Sequence, residues 1–207
     1  MVDLATLTAA VEAGDRKTAV AITQSAIDEG MAPQLILDAM TKAMDTVGAK
    51  FSRNELYVPE MLISARAMKE STALLEPLLV KAGIRPEHTA VVGTIKGDLH
   101  DIGKNLVAMM WKGAGIAIVD LGTNVSAEQF VAAAKEHNAS LVGVSALLTT
   151  TMVGMKDVVS AVRASGLPTK VLVGGAPLTP EFAASIGADG YAPDAASAVE
   201  VARGILG

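Results

Sequence analysis

"TAVVGTIKGDLHDIGKNLVAMMWKGA", residues 89–114, holds the turn on which the reading of the fold rests. Its first six residues are a short apolar run rich in β-branched side chains, which predicts a buried strand. From Ile102 onward the apolar residues return at helical spacing, which predicts a helix over 102–114. Between the two lies "IKGDLHD", a turn with two aspartates and a histidine. The rest of the chain repeats this βα pattern. "IAIVDLG" (116–122) predicts a strand, followed by a helix over 126–137. "LVGVSAL" (141–147) predicts a strand, followed by a helix from about 151 to 164. "KVLVGG" (170–175) is followed by a helix over 180–186, and "GYA" (190–192) by a final helix from Asp194. Five such units predict a five-stranded parallel sheet with helices on both faces, a Rossmann-like, flavodoxin-like α/β domain over 88–207.

Upstream the period changes. Residues 1–87 carry only helical patterns: "LATLTAAVEAG", then a segment capped by Asp15, then one opened by Pro33, then one opened by Pro59. Gly30 is a natural stop, and Pro77 is expected to kink or interrupt the fourth helix near its end. Four helices on short loops predict a small antiparallel bundle. "GIRPEH" (83–88) reads as the linker between the halves.

Composition narrows the function. The 207 residues carry a net charge of −5, which offers no basic stripe, so nucleic acid is not an expected partner. Cysteine is absent, which excludes disulfides, iron–sulfur clusters and thiolate metal sites. No basic-then-apolar leader and no membrane-length apolar run are present, so no membrane association is expected and a cytoplasmic location is the default.

Open α/β sheets bind ligands outside the carboxyl ends of their strands. Here that edge collects "KGDLHDIG", then Asp120 to Gly122, "SALLTTT", Gly174 with Gly175, and Tyr191 with Ala192. The first of these resembles a phosphate loop, but the count excludes it. Five residues separate Gly97 from Gly103 where four are needed, and Asn105 stands where a hydroxyl should bind magnesium. A solvated turn with a surface histidine is the plainer alternative. Against it, His100 is one of only three histidines, lies at the ligand edge, and has Asp98 two residues away. A carboxylate fixes an imidazole's tautomer and raises the basicity of its other nitrogen, which suits a metal ligand or a catalytic base equally. No second histidine has ligand spacing nearby. A metal on His100 would therefore draw most of its coordination from a macrocycle.

"DLHDIG" matches the D-x-H-x-x-G signature of cobalamin-binding domains. The stretch from Ser145 through Leu147 resembles that family's S-x-L segment, and "VGG" its paired glycines. "FSRNELYVPEMLISARAMKE" resembles the helical cap of the methionine synthase class. Across nearly the whole chain the sequence resembles the stand-alone corrinoid proteins of methanol, methylamine, glycine betaine and methoxyaromatic methyltransferase systems.

The resemblance implies a cobalamin or related corrinoid (methylcobalamin, cob(I)alamin or hydroxocobalamin) with its tail buried in the α/β domain. His100 would be the lower cobalt ligand, tuned by Asp98 and by the hydroxyl of Thr151, a position that is serine in methionine synthase. Asp98 and that hydroxyl would exchange a proton as the histidine binds and releases. Gly103 would let the tail pass, Ser145 and Thr149 would hydrogen-bond it, and Gly174 and Gly175 would leave it room. Tyr191 and Ala192 would line its far wall, while Phe51, Val58 and Met61 would cover the methyl-bearing face. The implied function is a methyl carrier, not catalytic alone. It would serve a substrate:corrinoid methyltransferase, a corrinoid:acceptor methyltransferase and a reductive activase, with loop 83–88 as hinge. The rival readings are the cobalamin subunit of an adenosylcobalamin mutase, a cobalamin-dependent sensor, and a flavodoxin-like module without cobalamin.

Overall fold

A computed structural model describes residues 2–207. The chain divides into two compact units, one of residues up to Pro86 together with Gly113–Gly115, the other of Glu87–Lys112 and Ile116–Gly207.

The first unit is all helical: α1 (Leu4–Glu12), α2 (Arg16–Asp28), α3 (Pro33–Ser52) and α4 (Val58–Lys81). Asp15 caps α2 by accepting the Thr18 amide, and Gly30 takes a left-handed φ of 74° just past its end. Pro33 opens α3, where the missing N–H costs nothing. Leu7, Val11, Ile36, Met40, Met44, Val47, Met61 and Leu75 are fully buried, so aliphatic and methionine side chains replace aromatics in this core. The expected break at Pro77 does not occur, and α4 runs through it to Lys81. Ala73 and Pro77 are both exposed, so the carbonyl that Pro77 cannot bond faces water rather than the core.

The second unit is five βα pairs. Its elements are β1 (Thr89–Thr94), α5 (Ile102–Gly113), β2 (Ala117–Asp120), α6 (Ala127–Glu136), β3 (Leu141–Ser145), α7 (Thr149–Met152), α8 (Met155–Ala164), β4 (Lys170–Gly174), α9 (Pro180–Ile186), β5 (Gly190–Ala192) and α10 (Ala195–Leu206). All pairings are parallel, in the order β2-β1-β3-β4-β5. Ser126, Thr179 and Asp194 cap their helices with side-chain oxygens. Two glycines set the packing of helices on the sheet. A Cβ at Gly93 would press on the Phe130 ring, and one at Gly143 on the Trp111 indole. Val92 is the register partner of Gly143, so these glycines face opposite sides of the sheet. Phe130 of α6 and Trp111 of α5 thus anchor the two helical layers, and Trp111 Nε1 donates to the Ala198 carbonyl of α10 at 2.9 Å.

One helix departs from expectation. The segment predicted as continuous over 151–164 is two helices, α7 and α8, separated at Val153 and Gly154. The turn α7 starts two residues earlier than the sequence pattern indicates.

Candidate functional site

The strand order reverses direction between β1 and β3, so the loops leaving these neighbours run to opposite sides and open a crevice at the carboxyl edge. The β1–α5 loop brings Asp98 and His100 there. The β3–α7 loop brings Leu147 and Leu148, and α7 brings Thr151.

Asp98 is the hub, with no solvent-accessible surface. Its Oδ1 accepts the His100 amide at 3.0 Å and pairs with His100 Nδ1 at 2.8 Å. Its Oδ2 accepts the Leu147 amide at 2.8 Å, the Leu148 amide at 3.3 Å and the Thr151 hydroxyl at 2.9 Å. Leu148 precedes α7 and offers no side-chain cap, and Asp98 places its carboxylate against the two amides just ahead of that turn. Burial pushes the Asp98 carboxyl up, but the donors of Leu147, His100 and Thr151 outweigh it and hold it well below the usual carboxylate range. The balance therefore favours the ionised carboxylate.

His100 presents a side chain that is 54% exposed. Nδ1 is committed to Asp98, and Nε2 has no protein partner among the described residues. The Thr94 hydroxyl, at the end of β1, donates to the His100 carbonyl at 2.9 Å and fixes the backbone beneath the ring. Around the imidazole stand apolar side chains turned to solvent: Leu99 (74% exposed), Ile102 (77%), Leu147 and Leu148. Apolar groups so exposed in two adjoining loops mark a surface that expects an apolar ligand. A Cβ at Gly103 would meet no protein atom, which leaves the ground beside His100 open. Among the described residues no group of three or more His, Asp or Glu side chains converges on a metal position. A lone imidazole on an apolar floor suits a metal whose other ligands come with a flat organic ring.

The remaining residues expected in the α/β unit lie along the same edge. Ser145 ends β3, and Thr149 opens α7 in an exposed position. At Gly174 and Gly175 the protein's own backbone already requires glycine. A Cβ at Gly174 would come within 2.9 Å of the Ala192 carbonyl oxygen, and one at Gly175, where φ is 136°, would overlap the Ala146 carbonyl. Tyr191 is half-buried with its hydroxyl donating to the Leu178 carbonyl at 3.1 Å, and Ala192 is buried. In the helical unit Met61 is buried, while Phe51 and Val58 are half-buried. Sequence reasoning missed the Leu147 and Leu148 amides and the exposed Leu99 and Ile102. The last two were visible as apolar residues in an otherwise polar turn; backbone amides leave no sequence signal.

A family model for the B12 binding domain matches residues 88–200, and a second, also described as a B12 binding domain, matches residues 4–76. A corrinoid protein of Desulfitobacterium hafniense is 40% identical over 200 residues, covering 94% of this chain and 93% of that one. The dimethylamine corrinoid protein of Methanosarcina barkeri is 38% identical over 194 residues, covering 92% and 91%. Among solved structures, a chain of the methanol:cobalamin methyltransferase complex MtaBC from Methanosarcina barkeri superposes with a TM-score of 0.85 at 30% identity, covering 99% of this chain and 80% of that one.

Proposed function

We propose, on the premise that this chain belongs to the B12-binding family, that it is a corrinoid-dependent methyl carrier in which His100 is the lower cobalt ligand. The observation that carries this is the imidazole itself, with Nδ1 held by a buried, ionised aspartate and Nε2 offered to solvent in an apolar surround. A bound corrinoid supplies a cobalt centre that accepts a methyl group from one protein and yields it to another. Everything else falls to this chain's residues. Asp98 keeps the proton on Nδ1, so that Nε2 carries the lone pair a metal requires. The Thr151 hydroxyl and the Leu147 and Leu148 amides keep Asp98 charged. Leu99, Ile102, Leu147 and Leu148 exclude water from the lower side of the ring. Gly103 gives the cofactor's tail passage, with Ser145, Thr149, Tyr191 and Ala192 along its course.

The partners follow from the chemistry. A separate methyltransferase that loads the carrier and a second that unloads it are the expected partners, in keeping with the likeness to a chain of the methanol:cobalamin methyltransferase complex. Likeness to proteins named for dimethylamine and methanol favours a simple methylamine or methanol as the donor. A reductive activase is the third expected partner. No helix among the described residues is long and apolar enough to cross a membrane. The test is reconstitution with hydroxocobalamin. Stoichiometric binding with an imidazole-ligated spectrum is expected, and His100→Ala should shift that spectrum while the chain stays folded. A wild-type chain that binds no corrinoid refutes the proposal. Methyl transfer from methanol or a methylamine with a cognate methyltransferase then separates a carrier from a mutase subunit or a sensor.

A further inference from the structure

The connection between β2 and α6, residues 121–126, and the end of β2 grip the loop that carries the His100 ring on both flanks. On one flank, Asn124 Oδ1 accepts the Gly97 amide at 2.8 Å, and the Asn124 amide donates to the Asp98 carbonyl at 3.1 Å. Asn124 does this from a φ of 58°, a left-handed conformation that asparagine tolerates better than most residues. Next to it, the Val125 amide donates to the Thr94 carbonyl, and Val125 bridges Ile95. On the other flank, Lys104 in the first turn of α5 has a side chain only 3% exposed. Its ammonium donates to both carboxylate oxygens of Asp120 at 2.6 Å and to Asn105 Oδ1 at 2.7 Å. Asn105 passes the restraint back by donating to Asp101 Oδ2 at 3.0 Å, and Asp120 also accepts the Gly122 amide at 2.9 Å.

The Asp120 side chain is 42% exposed, and an ion pair open to water on one side is a modest source of stability. What an ammonium bonded to three oxygens supplies is direction. Here it fixes the start of α5 against the end of β2, while Asn124 fixes Gly97 and Asp98 against the same connection. His100 lies between these two anchor points. We infer that Lys104, Asp120 and Asn124 are positioning residues for cobalt ligation, which set where His100 Nε2 stands relative to the corrinoid. This rests on the reading of His100 as the lower ligand.

The test compares Lys104→Met and Asn124→Ala in the wild-type and His100→Ala backgrounds. Thermal melting of the corrinoid-free chains establishes folding, and hydroxocobalamin is the probe. Both variants should fold and bind, with the equilibrium between imidazole-ligated and unligated cobalt, read from the absorbance spectrum, shifted about fivefold or more toward unligated. Asn124→Asp, which keeps an acceptor for Gly97, should restore ligation. In the His100→Ala background neither change should alter corrinoid affinity further. Unchanged ligation in both variants overturns the inference, as does an equal loss of affinity with and without His100. Should Lys104→Met fail to fold, the Asn124→Ala and Asn124→Asp pair decides alone. If the wild-type and His100→Ala spectra coincide, the lower-ligand reading itself falls, a result that involves none of the positioning variants.

Discussion

Replacing Asp98 by asparagine preserves shape and removes charge, and the donors arrayed around the carboxylate determine the cost. Oδ1 faces two donors from His100, and Oδ2 faces the Leu147 and Leu148 amides and the Thr151 hydroxyl. An amide must turn its NH2 toward one set. Turned to Leu147, it opposes two backbone amides that cannot reverse. Turned to His100, it opposes one such amide and an imidazole that can change tautomer. The second arrangement is the cheaper. It leaves the His100 amide facing a donor, at about 1–3 kcal/mol, and replaces charge-assisted hydrogen bonds by ordinary ones at about half their strength. The expected loss of stability is about 2–4 kcal/mol, read by urea unfolding of the corrinoid-free protein followed by tryptophan emission. The tautomer consequence is more specific. With Nδ1 now accepting from asparagine, the proton sits on Nε2, and the nitrogen offered to cobalt has no free lone pair. Asp98→Asn should therefore bind hydroxocobalamin with a spectrum like that of His100→Ala. A variant within about 0.5 kcal/mol of wild type that still shows imidazole ligation refutes this account of the hub.

Acid should act through the same carboxylate. Because the folded state lowers the Asp98 pKa, its stabilising contribution is complete above the unfolded carboxylate range near pH ~4 and is lost as pH falls toward the folded value. The difference in stability between wild type and Asp98→Asn should shrink as pH drops below about 4, and a constant difference would contradict the assignment. Thr151→Val removes one donor from Oδ2 and should cost about 1 kcal/mol, whereas Thr151→Ser should cost less; equal losses would show that packing rather than the hydroxyl matters. Gly175→Ala forces a Cβ into the Ala146 carbonyl at a positive φ and should destabilise the corrinoid-free chain by about 3 kcal/mol or more, so a loss below about 1 kcal/mol would mean the β3–β4 edge yields easily.

The α/β order could be read from the chain because each strand is a short apolar run and each helix begins at a polar cap or proline. "TAVVGT" and "GYA" match β1 and β5 residue for residue, and the helix predicted over 180–186 matches α9. Strand ends were overextended at 121–122 and 146–147, where apolar residues leave the sheet to serve the edge. The split between α7 and α8 was hidden for a related reason. Asp98, some fifty residues away, satisfies the amides at 147 and 148, and no local pattern records a cap delivered from another loop. The pairing of Asp98 with His100 was legible from spacing, whereas the Thr151 hydroxyl was indicated only by the family resemblance. The grip of Asn124 and the Lys104–Asp120 pair were not, since both join segments that meet only when β1 and β2 lie side by side.

The chain's single tryptophan turns the packing of α5 into an optical instrument. Trp111 is sealed between Gly143 of the sheet and the Ala198 carbonyl, so its emission should be blue-shifted in the native state and move to the red when the α/β unit opens. The four N-terminal helices contain no tryptophan, and their melting is silent in this channel. Comparing fluorescence with far-ultraviolet circular dichroism would then time the loss of the sheet separately from the loss of the helices. A bound corrinoid absorbs where tryptophan emits, so quenching of Trp111 would report loading without any label.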